Sequence, residues 1–320
     1  MSLEIFVNRY LLALREELRS IVRGFGPPPA GFADALHRYL DKGEFAFNYH
    51  PPWNSRVIQP VLCLLACEAC DGDWEQALPA AAAIELMHDF ILIHDAARRG
   101  NGIQRSGSTW TPWGQAQEIN TGDALFALAN LALGRLFEQG TSSATVLAVF
   151  CLFNRAELAF AIDQYLDISF EDCADILIED YLVMAEGKAA LTACACEIGA
   201  LVASATDAQR ESVRSFGYHL GLAQYVYDDV LRDRDEAIQT NVSRGSRQSS
   251  RREHIERLVR DHQSQAIAAL EKGYLEGAPV QVLYELARTS FNDVRLFSLV
   301  RGAETEPVCG ISNQWEKHAR

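Results

Sequence analysis

Two short stretches place acids and arginines at helical spacing. Asp95-Ala96-Ala97-Arg98-Arg99 sets Asp95 four residues before Arg99. Asp228-Asp229-Val230-Leu231-Arg232 sets Asp228 four residues before Arg232, with Asp233 one residue out of phase. Side chains at i and i+4 project from one face of a helix. Two readings follow. Either the pairs are intrahelical salt bridges, each worth a few tenths of a kcal/mol, or Arg99 or Arg232 contacts a phosphate group directly, because a planar guanidinium matches phosphate oxygens. Grouped carboxylates also suit Mg2+, which takes oxygen ligands and bridges them to phosphate.

The elements that would carry these stretches are helical. Residues 2–23 alternate apolar and charged side chains with a period near 3.6, and the GFGPPP run at 24–29 ends that helix. Residues 30–42, 57–69 and 74–95 read as helices. The 96–118 stretch, with Gly100, Gly102, Gly107 and Pro112, reads as irregular. Further helices are expected at roughly 120–138, 142–168, 170–186, 187–204 and 207–235, with Gly140 and Gly187 as breaks and Ser142 and Thr206 as N-caps. Residues 239–252 (QTNVSRGSRQSSRR) read as a polar, basic, mobile loop. Two or three helices close the chain before a polar tail from about Gly302. No strand-like alternation competes, and no linker or repeat divides residues 1–320, so one all-α domain is expected.

Composition bounds the rest. Hydrophobic residues make up 48% of the 320, enough for a large core. With 29 Lys and Arg against 43 Asp and Glu, the net charge is −14, which disfavours nucleic acid as a partner. No signal peptide or unbroken apolar run of membrane length is read, so a soluble cytoplasmic protein without a transmembrane segment is expected. Cys63, Cys67 and Cys70 lie at helical spacing in an apolar stretch. Buried reduced thiols are the simpler reading and a metal site the lesser one, since no second Cys/His cluster accompanies them. There is no GxxxxGK[ST] phosphate loop, zinc HExxH or GxSxG nucleophile elbow.

Residues 83–129 resemble the trans-polyprenyl (isoprenyl) diphosphate synthase family. That family reads LIHDD and then AINxGDALFALA where this chain has Ile93-His94-Asp95 and Glu118-Ile119-Asn120-Thr121-Gly122-Asp123-Ala124-Leu125-Phe126-Ala127-Leu128-Ala129. Further segments agree. Asp163-Gln164-Tyr165-Leu166-Asp167 resembles GQxLDL, Gly187-Lys188-Ala189-Ala190 resembles GKTA, and Phe216-Gly217 through Gln224-Tyr225 resembles FGxxLGLAFQ. Departures fall on the aspartate motifs, and after Asp235 the arginine-rich 239–252 stretch stands where the family has a GKxxxxDLxxGKxTLP lid. The first motif keeps only Asp95 of DDxxD. The second keeps Asp228 and Asp229, and arginine stands at the final position of both.

The resemblance implies an isoprenoid synthase fold, with ten or more helices around a central cavity, in a homodimer. It implies prenyl transfer: an allylic diphosphate ionises and its cation condenses with isopentenyl diphosphate. Asp95, Asp228 and Asp229 would hold Mg2+, in fewer ions than the family uses, and Lys188 would grip the allylic diphosphate. Arg56, His88 and Arg105 would hold the second substrate, with Gln164, Asp167, Arg99 and Arg232 lining the substrate site. Phe90, five residues before Asp95, would floor the product cavity and favour C15–C20 products. Two alternatives stand beside transfer. One is a non-catalytic member that binds prenyl diphosphates or regulates a partner synthase. The other is a class I terpene cyclase.

Overall fold

A computed structural model describes residues 3–24, 32, 36, 58–98, 114–170, 178–240 and 247–289. Among them the chain forms nine α-helices and one short 3-10 turn, with no strand. In chain order these are α1 (Leu3–Gly24), α2 (Ile58–Ala69), the 3-10 turn Trp74–Ala77, α3 (Leu78–Arg98), α4 (Gln115–Glu138), α5 (Ser143–Phe170), α6 (Ile178–Val202), α7 (Asp207–Thr240), α8 (Arg247–Lys272) and α9 (Ala278–Thr289). The all-α expectation holds. Of the helix expected at 30–42, only Phe32 and Leu36 fall within the described residues, both helical. The tail from about 302 lies outside them.

The most apolar helices are the innermost. Helix α2 buries Pro60 through Cys67 without a break, as a helix that is hydrophobic all round must. Helix α6 packs against α2 on one side, α5 on another and α7 on a third, which makes it the centre of the bundle. The pair α3–α4 closes one flank and α7–α8 the other. Helix α1 is stapled to α2 by one charged group. The Arg9 guanidinium pairs with Glu68 and sits 4.8–4.9 Å over the rings of Phe6, Tyr10 and Trp74. Tyr10 donates its hydroxyl to the same carboxylate.

Local signals set most of the helix ends. Ser142 Oγ accepts from Thr145 N at 3.1 Å, an N-cap on α5. Thr206 and Gln209 cap α7 reciprocally: Thr206 Oγ1 accepts from Gln209 N at 3.3 Å, while Gln209 Oε1 accepts from Thr206 N at 3.0 Å. Gly140, at φ 94°, ends α4.

Two expectations need correction. Gly187 does not break the chain, because α6 runs through it from Ile178 to Val202. A Cβ there would sit 2.4 Å from Asp163 Cβ and 3.0 Å from the Ala159 carbonyl, so glycine serves a close approach of α6 to α5. Both ends of the loop expected over 239–252 are helical, since Thr240 closes α7 and Arg247 opens α8, and 241–246 lie outside the described residues. Among the described residues, two helices are long and apolar enough to cross a membrane by length and composition alone, Trp74–Asp95 and Ser143–Ser169. The first is a core helix, 72% buried, whereas only 17% of the second is covered. That second helix leaves an apolar face open.

The six described cysteines carry no disulfide, and Cys63, Cys67, Cys70, Cys194 and Cys196 are buried. Burial raises the Cys67 and Cys70 thiols to about 12, so both stay protonated.

Candidate functional site

The site is built on the last two turns of α3. His88 and Asp95 lie seven residues apart, two turns along one face. His88 and Phe90 are half-buried. The Phe90 ring meets His94 at 4.5 Å and Phe126 of α4 at 5.2 Å between centroids, so Phe90 stands in an aromatic cluster between α3 and α4. Phe126 was not singled out from sequence.

Helix α4 fixes this end of α3 in three ways. Gln115, at its first position, donates Nε2–H to the Ala97 carbonyl at 2.8 Å, satisfying one of the terminal carbonyls of α3. Gly122 lets the two helices close: a Cβ there would meet the His94 ring at 2.5 Å. His94 Nε2 then lies 3.3 Å from Asp123 Oδ1. The Gly122-Asp123 pair therefore gives His94 room and a carboxylate together.

Helix α5 reaches the same place from the other side. Asp163 is 1% exposed at the α5–α6 contact, and Gln164 and Asp167 are half-buried on the turns that follow. Arg98 joins the two elements. Its Nη2 lies 3.0 Å from Asp95 Oδ1 and 3.9 Å from Asp167 Oδ2. The expected partner of Asp95, four residues on, was Arg99. Arg99 lies outside the described residues, and the pair the structure forms is with Arg98 at i+3. A motif comparison passes over Arg98 because it falls between the positions where aspartates are sought.

The remaining predicted residues divide into two groups. Arg56 and Arg105 lie outside the described residues. Lys188 on α6, and Asp228, Asp229 and Arg232 on α7, belong to described helices, but their side chains do not fall within the description. Helices α6 and α7 pack closely along their length, so Lys188 and Asp228 are carried by neighbouring elements.

Among the described residues, no three His, Cys, Asp or Glu side chains group to hold a metal ion. At the first aspartate motif the donor set does not fit Mg2+. Of that motif only the Asp95 carboxylate remains, and a guanidinium already lies against it.

Comparison with known proteins agrees with this architecture. The family model described as Polyprenyl synthetase matches residues 46–241. A geranylgeranyl diphosphate synthase of Mycobacterium tuberculosis is 37% identical over 182 residues, 56% of this chain and 50% of that protein. The chain spans about half the length of the curated relatives it matches. A geranylgeranyl pyrophosphate synthetase from the archaeon Geoglobus acetivorans superposes with a TM-score of 0.72 at 20% identity, covering 90% of this chain and 99% of that one. The geranyl diphosphate synthase small subunit of Antirrhinum majus superposes at 0.62 and 18% identity, covering 88% and 98%. Those two likenesses show the fold, and the family match extends over both aspartate motifs and the helices between them: this chain belongs to the polyprenyl synthetase family.

Proposed function

We propose that this chain is a prenyltransferase that ionises an allylic diphosphate and joins its cation to isopentenyl diphosphate. The observation that carries the reading is that Arg98 bridges Asp95 of α3 and Asp167 of α5, at the end of the bundle where the resemblance implies a diphosphate site. In the reaction the allylic C–O bond breaks and diphosphate leaves with the electron pair. The isopentenyl double bond attacks the cation, a C–C bond forms, and one proton is lost. Lys188 would grip the departing diphosphate, with Arg99 and Arg232 close by, and Arg56, His88 and Arg105 would position isopentenyl diphosphate. Gln164 would line the substrate site. Any Mg2+ would be held by Asp228 and Asp229, where it would offset charge on the leaving group. Phe90, beside Phe126, would limit the product to C15–C20.

The protein would work as a homodimer. Leu147, Phe150, Leu158 and Ile162 lie three, eight and four residues apart along one side of α5, and all are exposed. A second copy would cover this stripe.

One observation favours a second reading. Arg98 sits on the one aspartate that remains in the first motif. A non-catalytic subunit that binds prenyl diphosphates, or supports a partner synthase, would have this arrangement. The test is pyrophosphate release by the purified protein with Mg2+, geranyl or farnesyl diphosphate, and isopentenyl diphosphate, followed by extraction of products. Release well above a blank supports transfer. None at high protein concentration discards it, and co-purification of a synthase with complete aspartate motifs would then support the second reading.

A further inference from the structure

Arg98 lies between two carboxylates from different helices. Its Nη2 is 3.0 Å from Asp95 and 3.9 Å from Asp167, and the three side chains are 21%, 23% and 34% exposed. Salt screens charges so withdrawn far less than charges on open surface. A divalent ion at this end would need carboxylate oxygens at about 2.0–2.1 Å and freedom from a neighbouring positive charge. The guanidinium occupies the approach to Asp95 and repels such an ion. It also offsets part of the negative charge that would attract it, which among the described residues comes from Asp95 and Asp167.

We infer that Arg98 is a built-in cation that takes the place of a divalent ion at the first aspartate motif. The ligand class, a prenyl diphosphate, rests on the proposed function; the charge arrangement does not. A guanidinium tethered to α3 differs from a bound ion in two ways. It does not dissociate with product, and it ties α3 to α5 whether or not ligand is present. The protein should therefore need fewer ions per diphosphate than a family member with complete motifs.

The test counts bound Mn2+ by the loss of its free-ion electron paramagnetic resonance signal, with Mn2+ as the sole ligand. Wild type and Asp95→Asn should bind the same number of ions with the same affinity. Arg98→Ala should gain a site, or bind Mn2+ roughly tenfold more tightly, once the adjacent positive charge is gone. Adding Asp95→Asn to that variant should remove the gain. A loss of one ion in Asp95→Asn alone would overturn the inference, as would unchanged binding in a folded Arg98→Ala. Should circular dichroism show Arg98→Ala unfolded, the wild-type and Asp95→Asn pair decides alone. Ion counts do not depend on turnover, so failure of the prenyl transfer assay leaves this result standing, and the reverse also holds.

Discussion

His219 Nδ1 on α7 lies 3.0 Å from His262 Nδ1 on α8, with the rings stacked at 5.2 Å. At that separation one nitrogen donates and the other accepts, so one shared hydrogen satisfies both. Protonating both rings would set two donors against each other. Burial lowers both pKa values from the ordinary histidine value, and the facing groups adjust this: Lys272 lowers His219 further, Asp261 raises His262, and Tyr218 meets His219 edge-on. A histidine with a depressed folded pKa contributes no penalty above its unfolded pKa, near 6.5. As the pH falls through that value the unfolded chain takes up protons first, and stability declines until the folded values are passed. Melting temperature should fall more steeply between about pH 7 and 5 in wild type than in His262→Asn, whose side chain can reproduce the hydrogen bond. Parallel curves would contradict the assignment.

Glu157 gives the opposite pH sign. Burial raises its carboxyl to about 7, and its Oε2 is buried without a hydrogen-bond partner among the described residues. A raised carboxyl favours folding when protonated, so its penalty grows as pH rises from about 4.5 to 7 and is full above that. Glu157→Gln should raise the melting temperature by about 2 °C at pH 8 and leave it unchanged near pH 4.5. A loss of stability at pH 8 would show that the charged form has a partner.

The α2–α6 contact depends on the absence of a side chain. A Cβ on Gly199 would lie 2.1 Å from the Cys63 carbonyl oxygen and 2.9 Å from Cys67 N. Both are backbone atoms of a buried helix and cannot swing aside. Gly199→Ala should cost roughly 3 kcal/mol in urea unfolding, at the upper end of overpacking effects, or prevent folding. A midpoint equal to wild type would contradict the close approach.

The open stripe on α5 predicts an oligomer. Wild type should sediment as a dimer, and Leu158→Glu, which places a charge in the middle of the stripe, should sediment as a monomer. A monomeric wild type would remove the dimer from the account.

The parts of this molecule that local physics decides were readable from the chain. The apolar run of α2, the Ser142 and Thr206 caps and the glycine stop at Gly140 each follow from a few neighbouring residues. Gly187 looks like a break from its neighbours alone, because its role depends on Asp163 across the α5–α6 contact, more than twenty residues away. Arg98 was missed for a related reason. Spacing alone makes i+3 and i+4 partners of Asp95 equally reachable, and it is Asp167, brought in by α5, that gives Arg98 a second carboxylate. Gln115 could have been found only by knowing that the start of α4 abuts the end of α3.

The central claim is that this family member still ionises an allylic diphosphate with the acidic groups left on α7. Rapid-quench measurement of pyrophosphate release from geranyl diphosphate and isopentenyl diphosphate, comparing wild type with Asp228→Asn, tests it most directly. The account predicts measurable release by wild type and a loss of roughly 100-fold or more in the variant. Equal rates in the two proteins, or no release from either, would contradict it.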